Sequence, residues 1–264
     1  MKVAIIPARS GSKRIKQKNI RLFRGRPIIE YSITAAQQTG LFDHVIVSTD
    51  CNEIAGIATV AGAEVPFRRP DHLADDYTPT IPVVRQAIDW IEQHWRQVEL
   101  ACCIYATAPL VQVDDLKHGH ELLAENPNAE FAFPVTPFSF NPFRGVKIVD
   151  EQIQMAWPEH ELTRSQDLPE MYHDAGQFYW GRPQAFRERE GFFNARSLPI
   201  VIPNFRVQDI DTEDDWQRAE LLSELMDFQQ VSGTTPSSKV GRLSASFAIK
   251  NDSESRPSNQ KDAF

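Results

Sequence analysis

The 264-residue chain carries 28 Lys and Arg against 36 Asp and Glu, a formal net charge of −8, with 41% hydrophobic and 24% charged residues. This composition describes a globular chain long enough to bury one large core, and no apolar run approaches the roughly 18 residues of a membrane helix. The charge is uneven: the first 29 residues hold nine Lys and Arg and no Asp or Glu, so the acidic remainder argues against nucleic-acid binding through counterion release and points to a small anionic partner.

In chain order, Val3-Ala4-Ile5-Ile6-Pro7 predicts a first strand, followed by the turn Ala8-Arg9-Ser10-Gly11-Ser12-Lys13-Arg14 and further cations up to Lys18-Asn19. Such a turn aims backbone N–H groups at an anion, while Arg9, Lys13 and Lys18 add formal charge, so it reads as a triphosphate site at a strand's carboxyl end. It contains neither the Gly-x-x-x-x-Gly-Lys-Ser/Thr of a P-loop nor the Gly-x-Gly-x-x-Gly of a Rossmann turn. A helix over 27–38 is expected, punctuated by Pro27 and Gly40. Then come a strand over 44–48, a helix over 53–61, a short strand over 63–67, a loop over 68–80 and a helix over 82–96. The run Leu100-Ala101-Cys102-Cys103-Ile104-Tyr105 has the apolar character of a central parallel strand covered on both faces. Thr107-Ala108-Pro109 ends it, and 113–125 reads as a helix. Cys102 and Cys103 read as strand packing, while His118 and His120 fall on different faces of that helix.

From about Phe131 the alternation breaks. Phe138, Phe140 and Phe143 crowd one segment, 146–157 looks like a hairpin turning at Asp150-Glu151, and residues 136–170 read as an inserted arm. The core resumes at 176–180, followed by a helix over 183–188, a strand over 198–202 and a final helix over 212–226, with Thr212 as candidate N-cap. Residues 1–227 form the expected domain. Beyond them, 228–264 read as a Ser-rich, mobile tail whose apolar stretch 240–249 docks locally. The pattern as a whole is α/β: a doubly wound, mostly parallel sheet with helices on both faces, binding ligands beyond the strand carboxyl ends. Three cysteines in no disulfide or metal spacing, and a start too short for a signal-peptide core, lead us to expect a cytoplasmic protein.

The turn at 6–14 with Lys18-Asn19, together with Arg69-Pro70, Leu73-Ala74-Asp75-Asp76, Thr78, Thr107-Ala108-Pro109, Arg164-Ser165-Gln166-Asp167-Leu168-Pro169 and Asp209-Ile210-Asp211-Thr212, resembles the CMP-sialic acid synthetases. These cytidylyltransferases activate nonulosonic acids. Cys102-Cys103-Ile104-Tyr105 and the run from Tyr172 to Gly181 are most similar to the branch acting on pseudaminic acid. Where the sialate branch usually has Asn-Gly, this chain has Ala175-Gly176.

The resemblance implies a nucleotide-diphospho-sugar transferase fold, CTP and a nonulosonic acid as substrates, and attack by the anomeric hydroxyl on the α-phosphorus with loss of pyrophosphate. It also implies a homodimer built through the arm. Arg9, Lys13, Lys18 and Asp211 are the expected catalytic residues. Ala8, Ser10, Gly11, Ser12, Asn19, Arg69, Thr78 and Thr107 join the three cations as nucleotide contacts. Asp209 and Asp211 are the expected ligands of Mg²⁺ or Mn²⁺, which takes oxygen donors and few carboxylates. Arg164, Gln166, His173, Asp174, Gln177 and Tyr179 are the sugar-site candidates, although at least two of Phe178, Tyr179 and Trp180 are expected in the core. Activation of N-acetylneuraminic or legionaminic acid is the neighbouring alternative. A glycosyltransferase using Asp209-Ile210-Asp211 as its metal motif, or an inactive binding module, are alternatives of other classes.

Overall fold

The computed structural model describes residues 1–232; residues 228–232 of the expected tail continue the final helix, which therefore runs past the expected boundary at 227, and the rest of the tail, including 240–249, lies outside the described residues. The elements in order are β1 (Lys2–Pro7), β2 (Leu22–Phe23), β3 (Arg26–Pro27), α1 (Ile29–Thr39), β4 (His44–Ser48), α2 (Asn52–Val60), α3 (Thr80–His94), β5 (Leu100–Ile104), α4 (Val113–Glu125), β6 (Phe131–Pro137), β7 (Val146–Val149), β8 (Gln152–Met155), β9 (Tyr172–Asp174), β10 (Phe178–Gly181), α5 (Pro183–Glu188), β11 (Ser197–Val201) and α6 (Glu213–Ser232).

Seven strands form one sheet in the order β11-β6-β10-β5-β1-β4, with β9 pairing β6. The pairs β1·β4, β1·β5 and β6·β11 are parallel, whereas β10 lies antiparallel between β5 and β6, and β9 is antiparallel to β6. The sheet is therefore mixed and mostly parallel, and β5 has one parallel and one antiparallel neighbour. Strand alternation divides the core between the two faces. Ala4, Ile6, Val47, Cys102 and Ile104 pack with Ile29 and Ile33 of α1, Ile54 of α2 and Leu116 of α4 on one side. Val3, Ile5, Ile46, Ala101 and Cys103 meet Ile81, Val84 and Ile88 of α3 and Phe186 of α5 on the other. Both cysteines are buried strand packing, as expected.

Gly119 lets α4 approach the sheet: a Cβ there would stand 2.6 Å from the Trp180 ring, whose indole N–H donates to the Leu116 carbonyl at 2.8 Å. His118 is exposed, whereas His120 is half-buried beside the Trp180 ring, so only the first is a solvated side chain. A third apolar cluster joins Ile15, Phe23 and Ile28 near the N-terminus to Ile210, Trp216 and Ala219. It fastens the basic segment to the start of α6.

The strand expected over 63–67 does not form. Only bridges from Ile46 to Glu64 and from Thr49 to Arg68 occur, because Pro66 has no N–H with which to continue a ladder. The α3 helix begins at Thr80, ahead of Pro82, which its first turn accommodates. Thr136 belongs to β6, so the excursion from the sheet begins after Pro137 and returns at Tyr172. Within it, β7 and β8 form a separate antiparallel hairpin, turning at Asp150 and Glu151, whose φ angles are 50° and 64°. The final helix starts as expected. The Thr212 hydroxyl accepts from the Asp215 N–H at 3.2 Å, and Asp215 accepts from the Thr212 N–H at 2.9 Å, a reciprocal cap on the first turn.

Candidate active site

The carboxyl ends of β1 and β5 open onto a cleft of about 520 Å³ lined by Arg9, Ser12, Lys13, Arg14, Lys18, Asn19, Arg69, Thr78, Thr80, Tyr105 and Thr107, among others. That size suits a nucleotide. Five lining residues are cationic, and Asp76 is the single carboxylate among them. Of the expected nucleotide contacts, Arg9, Ser12, Lys13, Lys18, Asn19, Arg69, Thr78 and Thr107 reach the cleft, while Ala8, Ser10 and Gly11 stand behind it as the turn's frame.

The turn is held differently from a free nest of N–H groups. The Ala8 N–H donates to the Ser48 carbonyl, and the Ser12 N–H to the Ser10 carbonyl. Asp50, at the end of β4, accepts both the N–H and the hydroxyl of Ser10, at 2.9 and 2.7 Å. Asn19 donates to the Arg9 carbonyl at 2.9 Å, and Arg9 donates to the Gly11 carbonyl at 2.6 Å. Three N–H groups are thereby committed within the protein, so the site's pull on an anion rests mainly on side-chain charge. Asp50 was not singled out from the sequence, although its place at a parallel strand's carboxyl end is a usable signal. Burial pushes its carboxyl up, but the Ser10 hydrogen bonds and the Arg69 charge outweigh that, and the net shift is downward.

Arg69 is 3% exposed. Its guanidinium donates to the Ser48 hydroxyl at 3.1 Å and to the Ser48 carbonyl, with no carboxylate in direct contact. Burial lowers its pKa to about 10, against the opposing pull of Asp50. A buried cation without a direct counter-ion lies ready for an anionic or strongly polar ligand.

Lys18 carries the N-terminal segment across to the loop before α6. Its ammonium donates to the Ile210 carbonyl at 2.6 Å and lies 3.3 Å from Asp211 Oδ1, and Arg14 reaches the same oxygen at 2.9 Å. Asp209 and Asp211 thus sit in a loop, not a strand. Although Asp209 is exposed as a residue, its carboxyl is raised by local desolvation and by the Asp211 charge, against the influence of Lys18. A carboxylate raised by a second one two residues away, in a loop that Lys18 and Arg14 join to the cleft, fits a divalent cation. Among the described residues no group of three or more His, Cys, Asp or Glu forms a ready-made cage.

The sugar-site candidates fall into two groups. Arg164 and Gln166 are exposed on the excursion, Arg164 paired with Asp167 at 2.6 Å. His173, Asp174, Gln177 and Tyr179 cluster where β9 and β10 meet. The His173 ring lies 4.8 Å from that of Phe138, and Gln177 is buried, donating to the Arg206 carbonyl at 2.6 Å, with its Oε1 unpartnered. Asp174 accepts from the Gly176 N–H at 2.9 Å and from the Tyr179 hydroxyl. Phe178, Tyr179 and Trp180 are all core residues. The Tyr179 ring lies 5.4 Å from that of Tyr105, and the Tyr105 hydroxyl is 3.1 Å from Thr80 Oγ1. Thr80, Tyr105, Tyr179 and Asp174 therefore link the cleft wall to the second cluster, a connection with no sequence signal because its members belong to four different elements.

Comparison with known proteins places this geometry. The profile of the cytidylyltransferase family matches residues 3–239. The chain belongs to that family. It is a nucleotidyltransferase, 41% identical over 222 residues to the pseudaminic acid cytidylyltransferase of Campylobacter jejuni, an alignment covering 83% of this chain and 95% of the relative. It is 30% identical over 226 residues to the CMP-N,N'-diacetyllegionaminic acid synthase of Legionella pneumophila, covering 84% and 96%. A solved structure of a CMP:2-keto-3-deoxy-manno-octonic acid synthetase in complex with CTP superposes with a TM-score of 0.64 at 15% identity, over 85% of this chain and 99% of the other. The nucleotidyltransferase fold that the resemblance implies is thereby shown. Among the described residues no helix is long and apolar enough to cross a membrane.

Proposed function

We propose that this cytidylyltransferase transfers the CMP group of CTP to the anomeric hydroxyl of pseudaminic acid and releases pyrophosphate, giving an activated sugar for surface-glycan or flagellin glycosylation. The observation that carries the proposal is the meeting of the phosphate turn with Asp211 through Lys18, which joins the cations of the cleft to the loop that bears the carboxylate pair. The anomeric oxygen attacks the α-phosphorus as the bond to the bridging oxygen of the leaving pyrophosphate breaks. Arg9, Lys13 and Lys18 neutralise the charge growing on those oxygens. Arg69 and Thr107 hold the nucleoside end, and Asn19 keeps the turn in position. Asp209 and Asp211 would hold Mg²⁺ or Mn²⁺, which supplies electrostatic stabilisation of the phosphates in line for attack. Three free thiols, two of them buried, suit the reducing cytoplasm in which we place the reaction.

The excursion between β6 and β9 supports a homodimer. Phe140, Ile148 and Ile153 are each at least three-quarters exposed, an apolar surface that a second copy would cover.

The deciding experiment supplies CTP with pseudaminic, legionaminic and N-acetylneuraminic acids side by side and measures pyrophosphate. Fastest release with pseudaminic acid is expected. Release with legionaminic acid alone would move the chain to the neighbouring branch, and none with any of the three would refute the proposal.

A further inference from the structure

The cleft already holds an anion of its own. Asp76 places Oδ1 on the Arg9 guanidinium and Oδ2 on the Lys13 ammonium, so each oxygen takes a different cation of the phosphate turn. The loop bearing it runs from Arg69, whose N–H donates to the Thr49 carbonyl at 2.9 Å, to the start of α3 at Thr80. Between these anchors Asp75 accepts from the N–H groups of Tyr77 and Thr78 at 2.9 and 2.7 Å and from the Thr78 hydroxyl at 2.7 Å. That turn presents Asp76 inward, and hydrogen bonds from Lys13 and Arg9 keep its carboxyl below the ordinary range.

We infer that Asp76 is an internal counter-anion: it occupies Arg9 and Lys13 in the free enzyme, yields them to the leaving phosphates of the nucleotide, and competes with pyrophosphate for them once the transfer is complete. The inference rests on the nucleotide-site reading above. A triphosphate bears more charge and more acceptor oxygens than one carboxylate and displaces it. Pyrophosphate, once cut from CMP, loses the contacts made by the nucleoside and faces a competitor held by the same chain. A ligand that must displace an internal group binds more weakly by the fraction of time the site is free. Asp76 thus weakens product binding while leaving the nucleoside contacts unaffected.

The test is calorimetric titration of inorganic pyrophosphate and, separately, of CMP, each with Mg²⁺, into the wild-type protein, Asp76→Asn and Asp76→Glu. Asp76→Asn is expected to bind pyrophosphate about tenfold more tightly, as removal of a competing charge requires. Asp76→Glu should stay near wild type, and CMP affinity should be unchanged within about twofold in all three. Unchanged or weaker pyrophosphate binding by Asp76→Asn would overturn the inference, because the carboxylate would then merely hold the cations in place. Loss of CMP and pyrophosphate binding together in that variant would also overturn it, by making the residue structural. Wild-type protein that binds neither CMP nor pyrophosphate would instead overturn the nucleotide-site reading on which the inference stands.

Discussion

The Lys18 ammonium contacts Asp211 Oδ1 at 3.3 Å across 193 positions of sequence, and at 2.6 Å it also takes the carbonyl of Ile210. The buried cluster of Ile15, Phe23, Ile210 and Trp216 beneath this contact keeps the two segments together. The phosphate cations and the carboxylate pair therefore form one structural unit.

Lys18→Ala should lower kcat/KM for CTP by about 2–4 kcal/mol, the range for a contact that strengthens in the transition state. Asp211→Asn should cost at least as much, and more than loss of Arg69. Because both residues act in one unit, the double variant should lose less than the sum, by roughly 0.5–3 kcal/mol. Steady-state pyrophosphate release from the four proteins measures this. Strict additivity would mean that the contact has no part in the reaction.

Asp209 sets an expectation for pH. Its carboxyl is raised by desolvation and by Asp211, so on acidification it takes a proton at a higher pH than a free aspartate. Divalent metal binding requires the carboxylate, so Mg²⁺ affinity should fall as pH drops through that raised value. Metal-free stability has the opposite sign. Between the ordinary and the raised pKa the native state binds more protons than the unfolded chain, so stability declines as pH rises through that window. Asp209→Asn should abolish both trends, and Mg²⁺ titrations with denaturant melts from about pH 4 to 8 would show whether it does.

The legible parts of the molecule are those governed by local pattern. The strand at 44–48 and the helices at 113–125 and 183–188 form at the expected positions, because apolar spacing and punctuation lie within each segment. The antiparallel entry of β10 between β5 and β6 was not legible, since register with Cys103 is set by packing between distant segments. The cations of the turn were visible as a charge run. Their partners Asp50 and Asp76 were not, because each meets the turn across a separation of 40 or 67 residues. The candidate sugar residues were named from the motif, while only the fold reveals that Tyr105 lies beside Tyr179.

Arg69→Met should separate stability from binding. Burial lowers the Arg69 pKa from 12.5 to about 10, which corresponds to a cost of about 3 kcal/mol for keeping the charge inside. Methionine fills similar space without that cost. The Ser48 carbonyl keeps the Ala8 N–H as donor, so only the Ser48 hydroxyl loses a partner. The unliganded variant should melt no lower than wild type, while CTP affinity falls about 10–100-fold, the loss expected when a charged contact to a ligand is removed. A destabilised variant with normal CTP affinity would assign Arg69 to the fold alone.

The β7–β8 hairpin tests the assembly. Ile148 and Ile153 face each other across it and are both exposed. Ile148→Lys with Ile153→Glu should leave the isolated fold within about 0.5 kcal/mol of wild type, as for exposed substitutions generally. A dimer that uses this face should dissociate. Sedimentation at micromolar concentration distinguishes the two states, and wild-type protein that sediments as a monomer would remove the dimer proposal.

Tyr179→Phe addresses the chain of hydroxyls. The Tyr179 ring stacks on Phe192 with centroids 4.0 Å apart, and phenylalanine keeps that stack. The hydroxyl, its pKa pushed strongly upward by burial, stays neutral and donates to Asp174. Its removal should cost about 1.5–3 kcal/mol of stability, the value of a hydrogen bond to a charged acceptor. Tyr179→Ala should cost about 3–5 kcal/mol by leaving a cavity. Asp174 would then be held only through the Gly176 N–H at Oδ1, with its second oxygen released toward the sugar side. KM for the sugar should therefore rise several-fold while KM for CTP stays level, because Tyr105 keeps the Thr80 hydroxyl at the cleft wall. A matching rise in both constants would mean that the hydroxyls support the nucleotide pocket and that the sugar is read elsewhere.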